Sequence, residues 1–307
     1  MSGPDKKISR RGFLISNTQT AVGMFTVLGL TSCRSIPNWA AATPGAKMRF
    51  GLVTYLWARD WDLPTLIVNC QKTNVLGVEL RTEHAHGVEA HLNTQERQDV
   101  KKRFDDSPVT CVGLGTNFDF HHVNQDRLKE NIEGAKKYII LSHDIGSSGV
   151  KVKPNLLPEG AKAEKTIEQI GQSLNELGRF GGDLGQQIRL EVHGVKTQQL
   201  PIVKQIMDVA VHPQVGVCWN CNPQDLEGRG LEYNFNLVKN RFGATVHVRE
   251  LDSKDYPYQQ LLNMFVKMDY QGWILLEAST EPPDRVQALA QQKILFKKMR
   301  AGAQALV

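Results

Sequence analysis

Ile188-Arg189-Leu190-Glu191-Val192-His193-Gly194 is the stretch that decides how this chain is read. In an extended strand, successive side chains point to opposite faces. Ile188, Leu190 and Val192 then share one face, and Arg189, Glu191 and His193 the other. The apolar face suits packing against helices. The second face asks for a polar interior. Three later stretches repeat the design. Val217-Cys218-Trp219-Asn220 ends in Asn220. Thr245-Val246-His247 sets His247 opposite Val246 and Val248. Ile274-Leu275-Leu276-Glu277 ends in Glu277.

Working outward, the same unit recurs eight times: a short apolar strand, a polar loop, an amphipathic helix. The strands are expected at 48–55, 76–81, 109–115, 149–153, 188–194, 214–219, 244–249 and 272–277. Leu128, Ile132, Ala135 and Ile139 keep helical spacing after the third strand, as do Ile167, Ile170, Leu174 and Leu177 after the fourth. Alternating β and α units imply a parallel sheet covered by helices. Eight units in about 250 residues fit a closed (β/α)8 TIM barrel of the α/β class, a single domain over residues 48–307. An open doubly wound sheet would want a Gly-rich turn after the first strand, where Thr54-Tyr55-Leu56-Trp57 stands instead.

A barrel gathers its chemistry where strands end and the following loops begin. The chain has nine histidines, and seven of them (His84, His86, His91, His121, His122, His193, His247) fall at such ends or just past them. Helices hold few, so the histidines mark the mouth.

Residues 1–47 read as a leader. Ser9-Arg10-Arg11-Gly12-Phe13-Leu14 has the form of a twin-arginine export signal, and the apolar run 21–30 is ten residues long. A membrane-spanning helix needs ~20, so the run is excluded from the fold. Leu30-Thr31-Ser32-Cys33 fits a lipoprotein cleavage box with Cys33 lipidated, and Ala40-Ala41-Ala42 competes as an ordinary cleavage site. The expectation is periplasmic export, with contact to membrane only through an anchor at Cys33. Residues 1–47 hold six basic residues and one acid, a net of +5, and the whole chain is also +5. The remainder is neutral, which argues against nucleic acid as a partner. Cys218 and Cys221 have C-x-x-C spacing, but an odd separation along a strand sends the sulfurs apart. They read as structural thiols.

Glu191, Asn220, His247 and Glu277 offer two carboxylates, an amide oxygen and an imidazole. That set suits a divalent cation such as Mn, Mg, Co or Zn. Lys151 and Lys153 face the same way, and Lys153, nearer the strand end, is a candidate to bind substrate hydroxyls or steady an enediolate. His86 and Glu89 are candidates for sugar contacts. So is His193, favoured as a substrate contact over a metal ligand, and more weakly Arg249. Glu79 and Arg81 share a face as an inward ion pair. Trp57 and Trp61 either stack on a ring or pack the loops.

Leu-Glu-Val-His-Gly at Glu191, Gly-Val-Cys-Trp-Asn at Asn220, Val-His-Val at His247 and Leu-Leu-Glu at Glu277 resemble the xylose-isomerase-like TIM-barrel family of sugar isomerases and epimerases. The likeness runs from about Met48 to Arg300. It implies one divalent metal held by strands five to eight, with Glu191 and Glu277 as acid and base and His247 as ligand. It departs from the family at Asn220, where an Asp is usual, and at Pro223, where a His is usual. The expected activity is isomerisation or epimerisation of a free or oxidised sugar. A keto-sugar lyase or hydratase on the same site, a non-catalytic carbohydrate-binding lipoprotein, and a barrel endonuclease are the alternatives. The last wants more metal ligands and a basic DNA face.

Overall fold

The computed structural model describes residues 43–307. The leader motifs at Ser9–Leu14, 21–30, Cys33 and 40–42 lie outside the described residues. Eight parallel strands form the barrel: β1 (Arg49–Val53), β2 (Gly77–Arg81), β3 (Thr110–Asp119), β4 (Gly149–Lys153), β5 (Gln187–Glu191), β6 (Val215–Cys218), β7 (Thr245–Val248) and β8 (Trp273–Leu276). Eight helices alternate with them: α1 (Leu63–Thr73), α2 (Thr94–Asp105), α3 (Gln125–Asp144), α4 (Ala163–Gly182), α5 (Leu200–Val209), α6 (Leu231–Val238), α7 (Tyr258–Lys267) and α8 (Arg285–Gln304). The fold is a (β/α)8 TIM barrel.

Hydrogen-bonded ladders run β6-β5-β4-β3-β2-β1-β8-β7. The closing pair, β6 and β7, has no continuous ladder. It is joined by the amides of Gly243 and His247, which donate to the carbonyls of Val217 (2.9 Å) and Trp219 (2.7 Å).

Helix ends follow from local chemistry. The Asn93 side chain accepts from the Glu96 amide while Glu96 reaches back to the Asn93 amide, a reciprocal cap that starts α2. Asp62 caps α1 through the Thr65 amide. On α4 the stripe Ile167, Ile170, Leu174 and Leu177 is buried against the barrel. Each such side chain contributes about 1.5–3 kcal/mol by leaving water.

Two apolar layers result. The larger lies between strands and helices and takes Ile188, Leu190 and Val192. A small separate cluster of Val53, Val112, Trp273 and Leu275 forms the second layer. Beside that cluster stand buried charged groups, among them Glu79, Lys151, Arg189 and Glu191. Arg189 is fully buried, donating to the Val112 carbonyl (2.8 Å), the Ser148 hydroxyl (2.7 Å) and the Gln187 side chain (3.0 Å). It is a satisfied floor beneath the site. β3 makes room for these groups with glycines. A Cβ on Gly113 would lie 2.7 Å from the Arg189 guanidinium, and one on Gly115 would lie 2.9 Å from Glu79.

Two strand ends differ from the sequence reading by three residues or more. β3 continues four residues past Gly115, through an irregularity in its pairing with β4, so that Asp119 pairs in register with Lys153. β5 stops at Glu191, and His193 sits in the turn beyond it. After that turn, Gly194–Val195 pairs with Asn155–Leu156 as a two-residue ladder above the mouth. Gly194 has φ +95°, and a Cβ there would meet the Asn155 carbonyl oxygen at 1.7 Å. We expect Gly194→Ala to destabilise the fold by more than about 1 kcal/mol. An unchanged denaturation midpoint would show that the ladder carries no such constraint.

Candidate active site

Glu191 ends β5, Asn220 lies two residues past β6, His247 is on β7 and Glu277 is one residue past β8. All four are buried. One ligand atom each from Glu191, His247 and Glu277 falls within a 4.8 Å group. His247 Nδ1 is 3.6 Å from Glu191 Oε1 and 3.8 Å from Glu277 Oε2. Both His247 Nδ1 and Asn220 Oδ1 are buried without a hydrogen-bond partner. Buried polar atoms are rarely left so. Two orphaned atoms and two carboxylates are the donor set a divalent cation takes up, and these residues fit one.

Around this set stand groups that orient it. His247 Nε2 is 3.1 Å from Glu79 Oε1, deep in the barrel. A carboxylate behind an imidazole fixes the tautomer, leaving Nδ1 as the free lone pair when the ring is neutral. Lys151 Nζ donates to Glu191 Oε2 (2.8 Å) and to the Thr116 carbonyl (3.2 Å). Arg249 donates to both the carbonyl and Oε2 of Glu277, each at 2.8 Å. Burial works to raise the Glu191 pKa, but Lys151, His247 and Lys153 hold it well below the usual carboxylate range. Burial likewise opposes the charge on Lys151, which its carboxylate neighbours, Glu191 foremost, keep protonated.

Lys153 is different. It lies mostly buried near Glu191 and Glu277, with Lys151 and Arg81 on its other sides. Burial first, and then Lys151, push its pKa down to about 8. His193 is half-buried, its Nδ1 has no partner, and burial lowers its pKa. It is a neutral ring at pH 7.

The remaining candidate residues are placed as follows. His86 is engaged within its own loop. Its Nε2 lies 2.7 Å from the Arg81 carbonyl and its Nδ1 accepts the Val88 amide at 3.0 Å, so both nitrogens serve the loop. Glu89 is engaged as well, accepting the Glu83 amide (2.6 Å) and the Tyr138 hydroxyl (2.5 Å). Glu79 pairs with His247 in place of Arg81, which instead reaches Asn117 and lies over the Tyr55 ring. Trp57 and Trp61 are buried, and Trp57 Nε1 donates to the Thr280 carbonyl (2.8 Å). Cys218 and Cys221 are free, buried thiols.

Sequence reasoning missed the roles of Glu79 and Lys151 beside the site. The available signal was that both fall on the face of their strand shared with other charged residues.

The solved structures that share the fold include these three. L-ribulose 3-epimerase aligns over 84% of this chain and 96% of its own, with a TM-score of 0.72 and 11% identity. The 3-keto-D-glucoside 4-epimerase of E. coli aligns over 82% and 99%, with a TM-score of 0.67 and 12% identity. A probable 3-DHS dehydratase of Bacillus anthracis aligns over 81% and 99%, with a TM-score of 0.63 and 12% identity. No curated protein sequence matches the chain. Residues 67–298 match the family model described as Xylose isomerase-like TIM barrel, and the chain belongs to that family.

Proposed function

We propose that the chain is a divalent-metal-dependent isomerase or epimerase that moves a proton on the carbon beside the carbonyl of a free or oxidised sugar. The observation that carries this reading is the convergence of Glu191 and Glu277 on His247 Nδ1, each carboxylate clamped by its own cation. Glu191, Asn220, His247 and Glu277 are the residues that would hold the metal. A cation bound there would polarise a substrate carbonyl and acidify the neighbouring C–H.

The chain's own groups do the rest. Glu191 and Glu277 come from strands β5 and β8, so they approach a sugar from different sides. One removes the proton and the other returns it. Return to the opposite face of the same carbon is epimerisation, and return to the adjacent carbon is isomerisation. Lys151 and Arg249 hold the two carboxylates in place, and Lys151 helps to keep Glu191 ionised, ready to accept the proton that is removed. Lys153 supplies positive charge where negative charge develops on the substrate oxygen. His193 offers a neutral ring to a hydroxyl. Asn220 adds no charge where an Asp would add one, so the shell is less anionic by one unit. The site then favours a substrate that itself becomes negative.

The same residues would support dehydration if a leaving group were lost instead of a proton returned. The dehydratase among the fold's neighbours supports keeping that second reading. With the twin-arginine segment in front, the proposed setting is the periplasm, Cys33 is the proposed lipid attachment point, and an unphosphorylated sugar fits best.

Metal-loaded protein incubated with free sugars and 3-keto-sugars in heavy water tests the proposal by NMR. Deuterium entry without cleavage supports isomerase or epimerase chemistry. Loss of water or of an aglycone supports the lyase. Saturable binding with neither would sink both in favour of a sugar-binding protein.

The Lys153 role has its own signature. Below about pH 8 the amine is charged, and above it neutral. If its charge steadies the developing anion, turnover falls as pH rises through about 8. We expect that limb to vanish in Lys153→Met. A variant that keeps the limb would assign it to another group.

A further inference from the structure

A second cluster lies outside the residues used above. Asp119 ends β3, and His121 and His122 follow it. One ligand atom from each falls within a 4.8 Å group. His122 Nε2 is 2.5 Å from Asp119 Oδ1, and His121 Nδ1 is 3.7 Å from Asp119 Oδ2. The two rings lie 4.2 Å apart.

The loop that presents them is held from several directions. The Asp119 amide donates to the Asn131 side chain (3.1 Å). Asn155 donates to Asp119 Oδ2 (2.7 Å) and fixes the carboxylate. Gln169 on α4 donates to the carbonyls of Phe120 (2.7 Å) and His122 (3.0 Å), which fixes the peptides carrying both rings. An amide bonded to a ligating carboxylate is the kind of support that metal sites use.

A hydrogen bond from His122 to Asp119 accounts for only part of this arrangement. His121 is 8% exposed, and its Nδ1 is turned inward with no partner. Leaving such a buried atom unsatisfied is unfavourable. Nothing in a His–Asp pair requires a second ring beside it. Two imidazoles and one carboxylate are a zinc-type donor set with positions left open. With metal–ligand bonds near 2.0–2.1 Å, tetrahedral ligand atoms sit about 3.3 Å apart. The His121 pair is close to that spacing, and the His122 pair reaches it by opening less than about 1 Å.

We propose that Asp119, His121 and His122 bind a second divalent cation, zinc or a close relative, at the rim of the barrel mouth. The site shares no residue with the Glu191–His247–Glu277 group. It is tied to that group by the chain. Asp119 pairs with Lys153, and Asn155, which holds Asp119, is laddered to Gly194 three residues after Glu191.

The test reads metal content, with activity playing no part. Tag-free full chain is stripped with a chelator and dialysed against zinc, and bound zinc per chain is measured by mass spectrometry. His122→Ala and Asp119→Asn should each lose one zinc equivalent while keeping the wild-type circular dichroism spectrum. His247→Ala should leave that equivalent in place. Cobalt loading should show a visible band that His122→Ala removes and His247→Ala retains. Wild-type zinc content in both folded rim variants would overturn the site. So would a single equivalent lost only in His247→Ala. Either result leaves the reading of the central site untouched.

Discussion

Glu277→Gln should lower proton exchange into substrate by about 10²–10⁴-fold, the usual weight of a positioned acid or base, with little change in melting temperature. The substitution keeps the side chain's shape. Arg249 still has the Glu277 main-chain carbonyl to donate to, at 2.8 Å, and the new amide oxygen lies where Oε2 was. What is lost is the capacity to take a proton, together with one negative charge beside Lys153 and Arg249. That charge also supports cation binding, so the assay needs saturating metal, with content checked in parallel. Exchange at the wild-type rate in fully loaded protein would remove Glu277 from the chemistry.

The second large effect is on stability. Lys151 and Glu191 are an ion pair at 2.8 Å, with both side chains almost wholly buried. Removing one partner of such a pair leaves a buried charge without its hydrogen-bonded counter-ion, at a cost of about 3–5 kcal/mol. Lys151→Met is therefore expected to lower the melting temperature by roughly 6–20 °C, taking about 2–4 °C per kcal/mol for a domain of this size. Lys151→Met/Glu191→Gln should recover much of the loss, because no buried charge remains. The pH dependence carries a sign. In the native protein the Glu191 pKa lies below its unfolded value, so its contribution is present above about pH 4.3 and fades as pH falls through the folded pKa. In the single variant the stranded carboxylate is relieved by protonation. The gap between variant and wild type should then narrow on acidification. A gap that widens, or a double variant no more stable than the single one, would contradict the assignment.

Much of the barrel was legible because its signals are local. The two faces of residues 188–192, the stripes on α3 and α4, and the polar residues ending four strands all follow from side-chain period, and burial honours that period. The four residues expected at the mouth are buried at the ends of the strands that were expected to carry them. What could not be read depended on closure. Glu79 and His247 are 168 residues apart, and only the stagger of a closed sheet sets one behind the other. Lys151 was visible as an inward lysine, but its pairing with Glu191 is a property of neighbouring strands in register. The partners of His86 were hidden for a different reason. Its loop folds back so that the ring serves its own backbone, and no periodicity reports that. Asp119 was hidden because Asn117-Phe118-Asp119 has the composition of a loop, whereas β3 runs through it.

The weak join between β6 and β7 has a consequence for how the molecule breathes. Every other neighbouring stave is knitted to the next, whereas this one is held by two isolated main-chain links. Thermal opening should start there, and the amides of Gly243 and His247 should be the first inside the barrel wall to trade hydrogen for deuterium. Asn220 follows β6 and His247 lies on β7, so a cation held by both of them would act as a clasp. The occupancy of the mouth would then be written into the rate at which its own wall unlatches.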